Sequence, residues 1–171
     1  MSNYFIEENV LSDNDCKYLI DLFNQSLDFT HAWSNDDIPE KIQTLQVLKV
    51  DDVLNLKLFN LLENKYKRIF GYHKLDNLEI VKWPKNSYAK EHIDGEDKMG
   101  FFVYLNDDYE GGENELVDIH KVWPKKGRMS LFDNGKILHK VNKVTKGDRY
   151  MLSGWYKWVM THILVIQILK K

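Results

Sequence analysis

From Leu78 onward the chain is cut into short lengths, and this segmentation restricts the fold more than any other feature. Seven runs, at 78–83, 89–93, 99–105, 115–119, 128–132, 140–144 and 149–156, are rich in aromatic and β-branched residues. Gly, Asp, Asn or Pro fill the gaps between them. Such runs suit a pleated, half-buried surface, and the residues between them suit tight turns. Many short strands at this spacing predict a closed or double-sheet β architecture.

The first half of the chain reads differently. A strand signal covers 4–10, and Ser12 or Asp13 then offers the side-chain oxygen that caps a helix. Cys16, Leu19, Ile20 and Phe23 follow at spacings that share one helical face. Residues 26–40 mix polar groups, aromatics and Pro39, as a loop does. Asp51 and Asp52 open a second helix with Val53, Leu56, Leu58, Phe59, Leu62 and Tyr66 as its apolar positions, and Gly71 ends it. Helices that precede the strands can pack on the outside of the sheets. The expectation is one α+β domain over 1–171: helical support at about 12–71, a jelly-roll core at about 78–157, and an apolar extension at 158–171.

Charge and termini bound the setting. With 24 basic and 26 acidic side chains the net charge is −2, which argues against a nucleic-acid footprint for the whole chain. Cys16 is the only cysteine, so no internal disulfide forms and a reducing compartment is the simpler reading. The N-terminal residues lack the basic start and apolar run of a secretion signal, and the localisation expected is cytoplasmic. Residues 158–169 are apolar but interrupted by His162 and Gln167, and fall short of the roughly 20 residues a spanning helix needs. Packing, or a homodimer through this segment, is expected there rather than a membrane anchor.

Chemistry concentrates at His92-Ile93-Asp94. On a strand, alternate side chains share a face, so the imidazole and the carboxylate point the same way. Two His and one carboxylate with open positions suit non-haem Fe(II), and His139, before a later strand, is the candidate third ligand. Ten residues on stands Arg149, whose guanidinium fork matches a carboxylate. Taken singly, the first pair reads as a surface His and Asp, and the arginine as an exposed turn residue. His31, His73, His120 and His162 read as surface or core residues. Glu91, Glu96 and Asp97 read as solvated, with Glu96 or Asp97 placed to meet a basic substrate.

In order, the chain carries His92-X-Asp94, Tyr104-Leu105-Asn106-Asp107, Gly111-Gly112-Glu113, Pro124-X-X-Gly127, Phe132, His139 and Arg149. This order resembles the prolyl 4-hydroxylase-like family of the 2-oxoglutarate/Fe(II)-dependent oxygenase superfamily, from about Phe5 to Tyr156. The resemblance implies a double-stranded β-helix of cupin type, with His92, Asp94 and His139 as iron ligands. It implies that Arg149 binds the distal carboxylate of 2-oxoglutarate, that Tyr104 hydrogen-bonds the same carboxylate, and that Trp155 lines the substrate side. Trp155 reads equally well as a core aromatic. Where hypoxia-sensing relatives have Tyr-Pro, this chain has Trp83-Pro84, so either Tyr88 supplies the missing hydroxyl or Trp83 makes a packing contact.

The function so implied is a dioxygenase using Fe(II), 2-oxoglutarate and O2, with ascorbate as support. It would hydroxylate a prolyl residue of a protein or peptide while 2-oxoglutarate decarboxylates to succinate. Residues 31–49 and the loop around Lys136 are the expected lid or peptide-binding edge. Two readings compete: an oxygenase acting on a free amino acid or other small molecule, and a cupin-like module that holds metal without turnover. Nucleic-acid repair is argued against by the acidic stretch 91–118, which opposes the basic stretch 121–149.

Overall fold

A computed structural model of the chain describes residues 4–27, 30–31, 42–46, 73–95 and 98–158. The second helix expected near 51–71 and the apolar tail after Trp158 lie outside the described residues.

The leading strand, β1 (Tyr4–Glu7), is shorter than its sequence signal and hands over to α1 (Asp13–Gln25). Of the two capping candidates, Ser12 takes the role. Its hydroxyl accepts the Asp15 N–H at 3.2 Å, and the Asp15 carboxylate accepts the Ser12 N–H at 2.9 Å. Such a cap is worth about 1 kcal/mol. Cys16, Leu19 and Phe23 are buried along one face, each large apolar side chain contributing about 1.5–3 kcal/mol of transfer free energy.

Twelve further strands follow among the described residues: β2 (Thr30–His31), β3 (Gln43–Gln46), β4 (His73–Trp83), β5 (Ala89–His92), β6 (Lys98–Tyr104), β7 (Glu110–Gly111), β8 (Asn114–Leu116), β9 (His120–Val122), β10 (Met129–Asp133), β11 (His139–Val141), β12 (Val144–Lys146) and β13 (Arg149–Trp158). They form a seven-stranded sheet of order β1-β10-β6-β13-β4-β3-β2, a four-stranded sheet of order β5-β11-β8-β9, and a β12-β7 pair. This is the expected jelly roll.

Side-chain alternation divides the larger sheet between two cores. Leu78, Ile80, Phe101, Val103, Leu131 and Leu152 face α1 and cluster with Leu19 and Phe23. The intervening Val81, Trp83, Phe102, Tyr104, Phe132 and Met151 cluster with Leu116, Val122 and Val141 of the smaller sheet. The site lies in this second layer, between the two sheets.

Three segments depart from the sequence reading. The run at 115–119 is a hairpin: β8 stops at Leu116, Asp118 turns at φ 59°, and β9 runs back. The run at 140–144 divides into β11 and β12, because the chain crosses from the smaller sheet to pair with β7. Gly111, at φ 76°, allows that pairing, since a Cβ there would collide with the Lys143 carbonyl oxygen. The loop expected over 26–40 contains β2, and β3 follows it; both extend the edge of the larger sheet beside β4.

Candidate metal centre

β5 and β11 are antiparallel neighbours, and their register sets His139 opposite His92. The two rings stand 4.3 Å apart between centroids. Each ring turns its Nδ1 to a backbone carbonyl two residues earlier: His92 to Lys90 at 2.7 Å, His139 to Ile137 at 2.9 Å. A carbonyl only accepts, so Nδ1 carries the proton and the Nε2 lone pairs are left for a metal.

Asp94 is the second residue past the end of β5, so strand alternation alone does not place it. Its N–H donates to the Asn134 carbonyl at 3.1 Å, which ties the segment to the end of β10. Asp94 Oδ1 then lies 3.3 Å from His92 Nε2 and 3.6 Å from His139 Nε2. One ligand atom from each of the three residues falls within 4.8 Å of the others. Three donors at near-right angles about a cation, each about 2.1 Å from it, stand about 3 Å apart, so the spacing fits a facial set.

Asp94 Oδ2 faces the other way and accepts two N–H donors, Trp155 Nε1 at 2.8 Å and Asn134 Nδ2 at 2.6 Å. Burial works to raise the Asp94 pKa, but in the metal-free protein the adjacent rings of His139 and His92, when protonated, and the N–H donors of Trp155 and Asn134 outweigh it. They hold the carboxyl far below its usual range. The bond to Asp94 raises the His92 pKa, against the effect of burial and with help from the Lys90 carbonyl.

The same cavity, of about 60 Å³, extends from this cluster to Arg149 and Asn114, with Trp83, Phe132 and Trp155 among its walls. Arg149 is not the exposed turn residue of the simpler reading: it is 1% exposed. Its guanidinium carbon lies 5.0 Å from the Trp83 ring and 5.6 Å from the Tyr104 ring. Nη2 donates to Asn114 Oδ1 and the Tyr104 and Tyr109 hydroxyls lie close to the guanidinium, while Nε and Nη1 are buried with no well-formed hydrogen bond among the described residues. A buried cation with idle donors is costly unless an anion joins it.

The remaining expected contacts divide. Trp83 lines the cavity with its ring against Arg149, the packing alternative of the sequence reading. Tyr88 does not line it; the turn before β5 puts Tyr88 in an outer surface hollow with Lys90 and Lys143, away from Arg149. Tyr104 is fully buried beside Arg149, but its proton is committed to the Val122 carbonyl at 2.7 Å, and its oxygen accepts the Asn114 N–H at 3.1 Å. It therefore supports the arginine from below rather than presenting a free donor. Trp155 is neither a plain core aromatic nor only a wall, since its indole holds Asp94.

Two contributors, Asn134 and Asn114, had no clear sequence signal. Asn134 belongs to an Asp-Asn-Gly turn, and Asn114 follows a Gly-Gly-Glu turn, so both read as loop residues. Gly112, at φ 68°, presses on the Arg149 side chain: a Cβ there would meet Arg149 Cδ at 2.9 Å.

Among known proteins, residues 78–157 match the model of the 2OG-Fe(II) oxygenase superfamily. A PKHD-type hydroxylase of Pseudomonas putida is 36% identical over 106 residues, which are 58% of this chain and 43% of the relative. The chain thus spans less than half the length of that relative. The fold is shared with a Pseudomonas putida prolyl-4-hydroxylase (TM-score 0.76, 16% identity, 92% of this chain and 93% of the other). It is shared also with the viral collagen prolyl hydroxylase of Paramecium bursaria Chlorella virus-1 (TM-score 0.73, 18% identity, 92% and 97%).

Proposed function

We propose that this chain, whose residues 78–157 match the 2OG-Fe(II) oxygenase superfamily, is an Fe(II)- and 2-oxoglutarate-dependent dioxygenase that hydroxylates a prolyl residue in a protein or peptide. One observation carries the reading beyond metal binding. Arg149 is a buried cation with idle donors, on the wall of the cavity that the His-Asp-His cluster also lines. A metal-binding module without turnover has no use for such a group, whereas a dicarboxylate that reaches the metal at one end neutralises it at the other.

The geometry supports the following residue roles. His92, Asp94 and His139 would hold Fe(II) through Nε2, Oδ1 and Nε2. Bound there, the iron supplies the redox chemistry that couples decarboxylation of 2-oxoglutarate to oxidation of a C–H bond by O2. Arg149 binds the distal carboxylate, and Asn114 together with the rings of Trp83 and Tyr104 keeps the guanidinium in place. Phe132, whose ring stands 4.9 Å from that of His139, and Trp83 exclude water from the cavity. The prolyl substrate is supported by the prolyl hydroxylases that share the fold.

The basic stretch after residue 120 does not form a separate cationic face. Lys125 and Arg128 pair with Glu8, Lys126 with Asp13, Lys140 with Glu91 and Glu115, and Lys146 with Glu110. These pairings argue against a nucleic-acid substrate. The direct test is anaerobic loading with Fe(II), addition of O2, 2-oxoglutarate and ascorbate, and measurement of succinate with proline-containing peptides. Succinate formation with a +16 Da peptide product is expected. No 2-oxoglutarate consumption with any peptide, together with no binding of 2-oxoglutarate, overturns the proposal.

A further inference from the structure

The two oxygens of Asp94 have different surroundings. Oδ1 faces the two imidazole Nε2 atoms, whereas Oδ2 is tied by Trp155 and Asn134. A carboxylate held in this way presents one oxygen to a metal and cannot easily swing to present both. Asn134 is the more constrained of the two donors. It is 4% exposed, and its backbone carbonyl also accepts the Asp94 N–H.

The orientation of the Asn134 amide is chemically forced, because only its NH2 can face an ionised carboxylate. Oδ1 of Asn134 is thereby left buried, without a hydrogen-bond partner among the described residues, on a residue that lines the cavity. A side chain kept only to plug the turn would have both ends satisfied. Beneath it lies Gly100, paired in the sheet with Phe132 on one side and Trp155 on the other. A Cβ on Gly100 would collide with Nδ2, Oδ1 and Cγ of Asn134. The glycine thus leaves the space in which the amide lies.

We propose that Asn134, seated on Gly100, is a positioning residue that fixes Asp94 as a one-oxygen ligand. It thereby sets the affinity of the centre for a divalent cation and keeps open a coordination position that a two-oxygen carboxylate would fill. The inference rests on the reading of His92, Asp94 and His139 as metal ligands.

The test titrates metal-free protein with Co(II) and follows its visible absorption, which reports both occupancy and coordination number. Asn134→Leu keeps the shape and removes the donor. It is expected to weaken Co(II) binding by about 10- to 100-fold, the usual effect of removing a hydrogen bond to a metal ligand, and to change the absorption intensity. Gly100→Ala is expected to weaken binding in the same direction in the parent protein. In an Asn134→Ala background, where the space is vacant, it should have no further effect. Parent affinity and an unchanged spectrum in Asn134→Leu overturn the inference. If circular dichroism shows that Asn134→Leu does not fold, parent affinity in Gly100→Ala overturns it instead. Absence of Co(II) binding to the parent protein refutes the metal reading itself, an outcome distinct from failure in the variants alone.

Discussion

Replacing Arg149 by Met separates the anion site from the metal site. Methionine is unbranched and fills the space between the Trp83 and Tyr104 rings, so the layer between the sheets keeps its packing. Two effects on the ligand-free protein oppose each other: an unpaired buried charge is removed, and Asn114 Oδ1 loses its donor. The intrinsic stability should therefore change little. Binding of 2-oxoglutarate should change greatly. A charge-assisted hydrogen bond is worth about 1.5–3 kcal/mol, so losing one weakens binding by about 10- to 150-fold. At a concentration 100 times the parent dissociation constant, 2-oxoglutarate stabilises the parent by about 2.7 kcal/mol. For a chain of this size that corresponds to a rise in Tm of about 5–10 °C. With binding weakened 100-fold the same concentration yields about 0.4 kcal/mol, a rise of about 1 °C. The assay is thermal unfolding with saturating Mn(II), with and without 2-oxoglutarate. Pyruvate serves as a control because it has the 2-oxo acid but no distal carboxylate, and it should stabilise both proteins equally. A full 2-oxoglutarate shift in Arg149→Met would refute the assignment of Arg149 to the distal carboxylate.

Three further outcomes are expected. The His92 pKa is raised by Asp94, so its protonated form stabilises the metal-free protein below the ordinary histidine value, and this contribution is lost as pH rises through the raised value. A metal needs the neutral ring, so Co(II) affinity should fall as pH drops through that raised value; a pH-independent affinity between 5 and 8 (roughly the histidine range) speaks against His92 as a ligand. Gly112→Ala strains a left-handed backbone, at about 1–2 kcal/mol, and presses on Arg149. It should lower Tm and weaken 2-oxoglutarate binding while leaving Co(II) binding intact. Leu19→Ala opens a cavity under α1 and should cost about 2–5 kcal/mol in chemical denaturation, with Co(II) affinity of the folded protein unchanged.

Legibility differed by the kind of signal involved. The runs now seen as β4, β6, β10 and β13 were readable because a buried layer on each side selects aromatic and β-branched residues at most of their positions. The 140–144 run misled, because Val141 and Val144 are both buried apolar residues although they belong to different sheets. Composition records burial, not which partner strand provides it. The candidate ligands His92, Asp94 and His139, and Arg149 as the candidate anion contact, were singled out by residue type and order, and the structure brings them to one cavity. Of the two alternatives, Trp83 lines the cavity and Tyr88 does not, because a hydroxyl near the right position in sequence says nothing about the direction of a turn. Asn134, Asn114 and Gly100 were invisible for a related reason: amides and glycines are ordinary turn residues, and only packing distinguishes the ones that hold a site.

One strand joins the two ends of the cavity. On β13, Arg149, Ser153 and Trp155 share the inward face, so a single register delivers the buried guanidinium, a cavity wall and the indole that holds Asp94. The histidines come instead from the smaller sheet, through the β5–β11 pairing. The site therefore exists only while the two sheets keep their separation, which Phe102, Phe132, Leu116 and Val141 set by filling the layer between them. Phe132 reaches both ends, since its ring packs on His139 and on Phe102, whose ring in turn meets Tyr104 beside Arg149. Phe132→Ala should consequently weaken Co(II) and 2-oxoglutarate binding together, along with a loss of about 3–5 kcal/mol in stability. Arg149→Met and Asn134→Leu should instead each affect mainly one ligand. Titration of both ligands against the three variants measures whether the sheet spacing couples the two ends. If Phe132→Ala folds and binds both ligands as the parent does, the spacing argument fails.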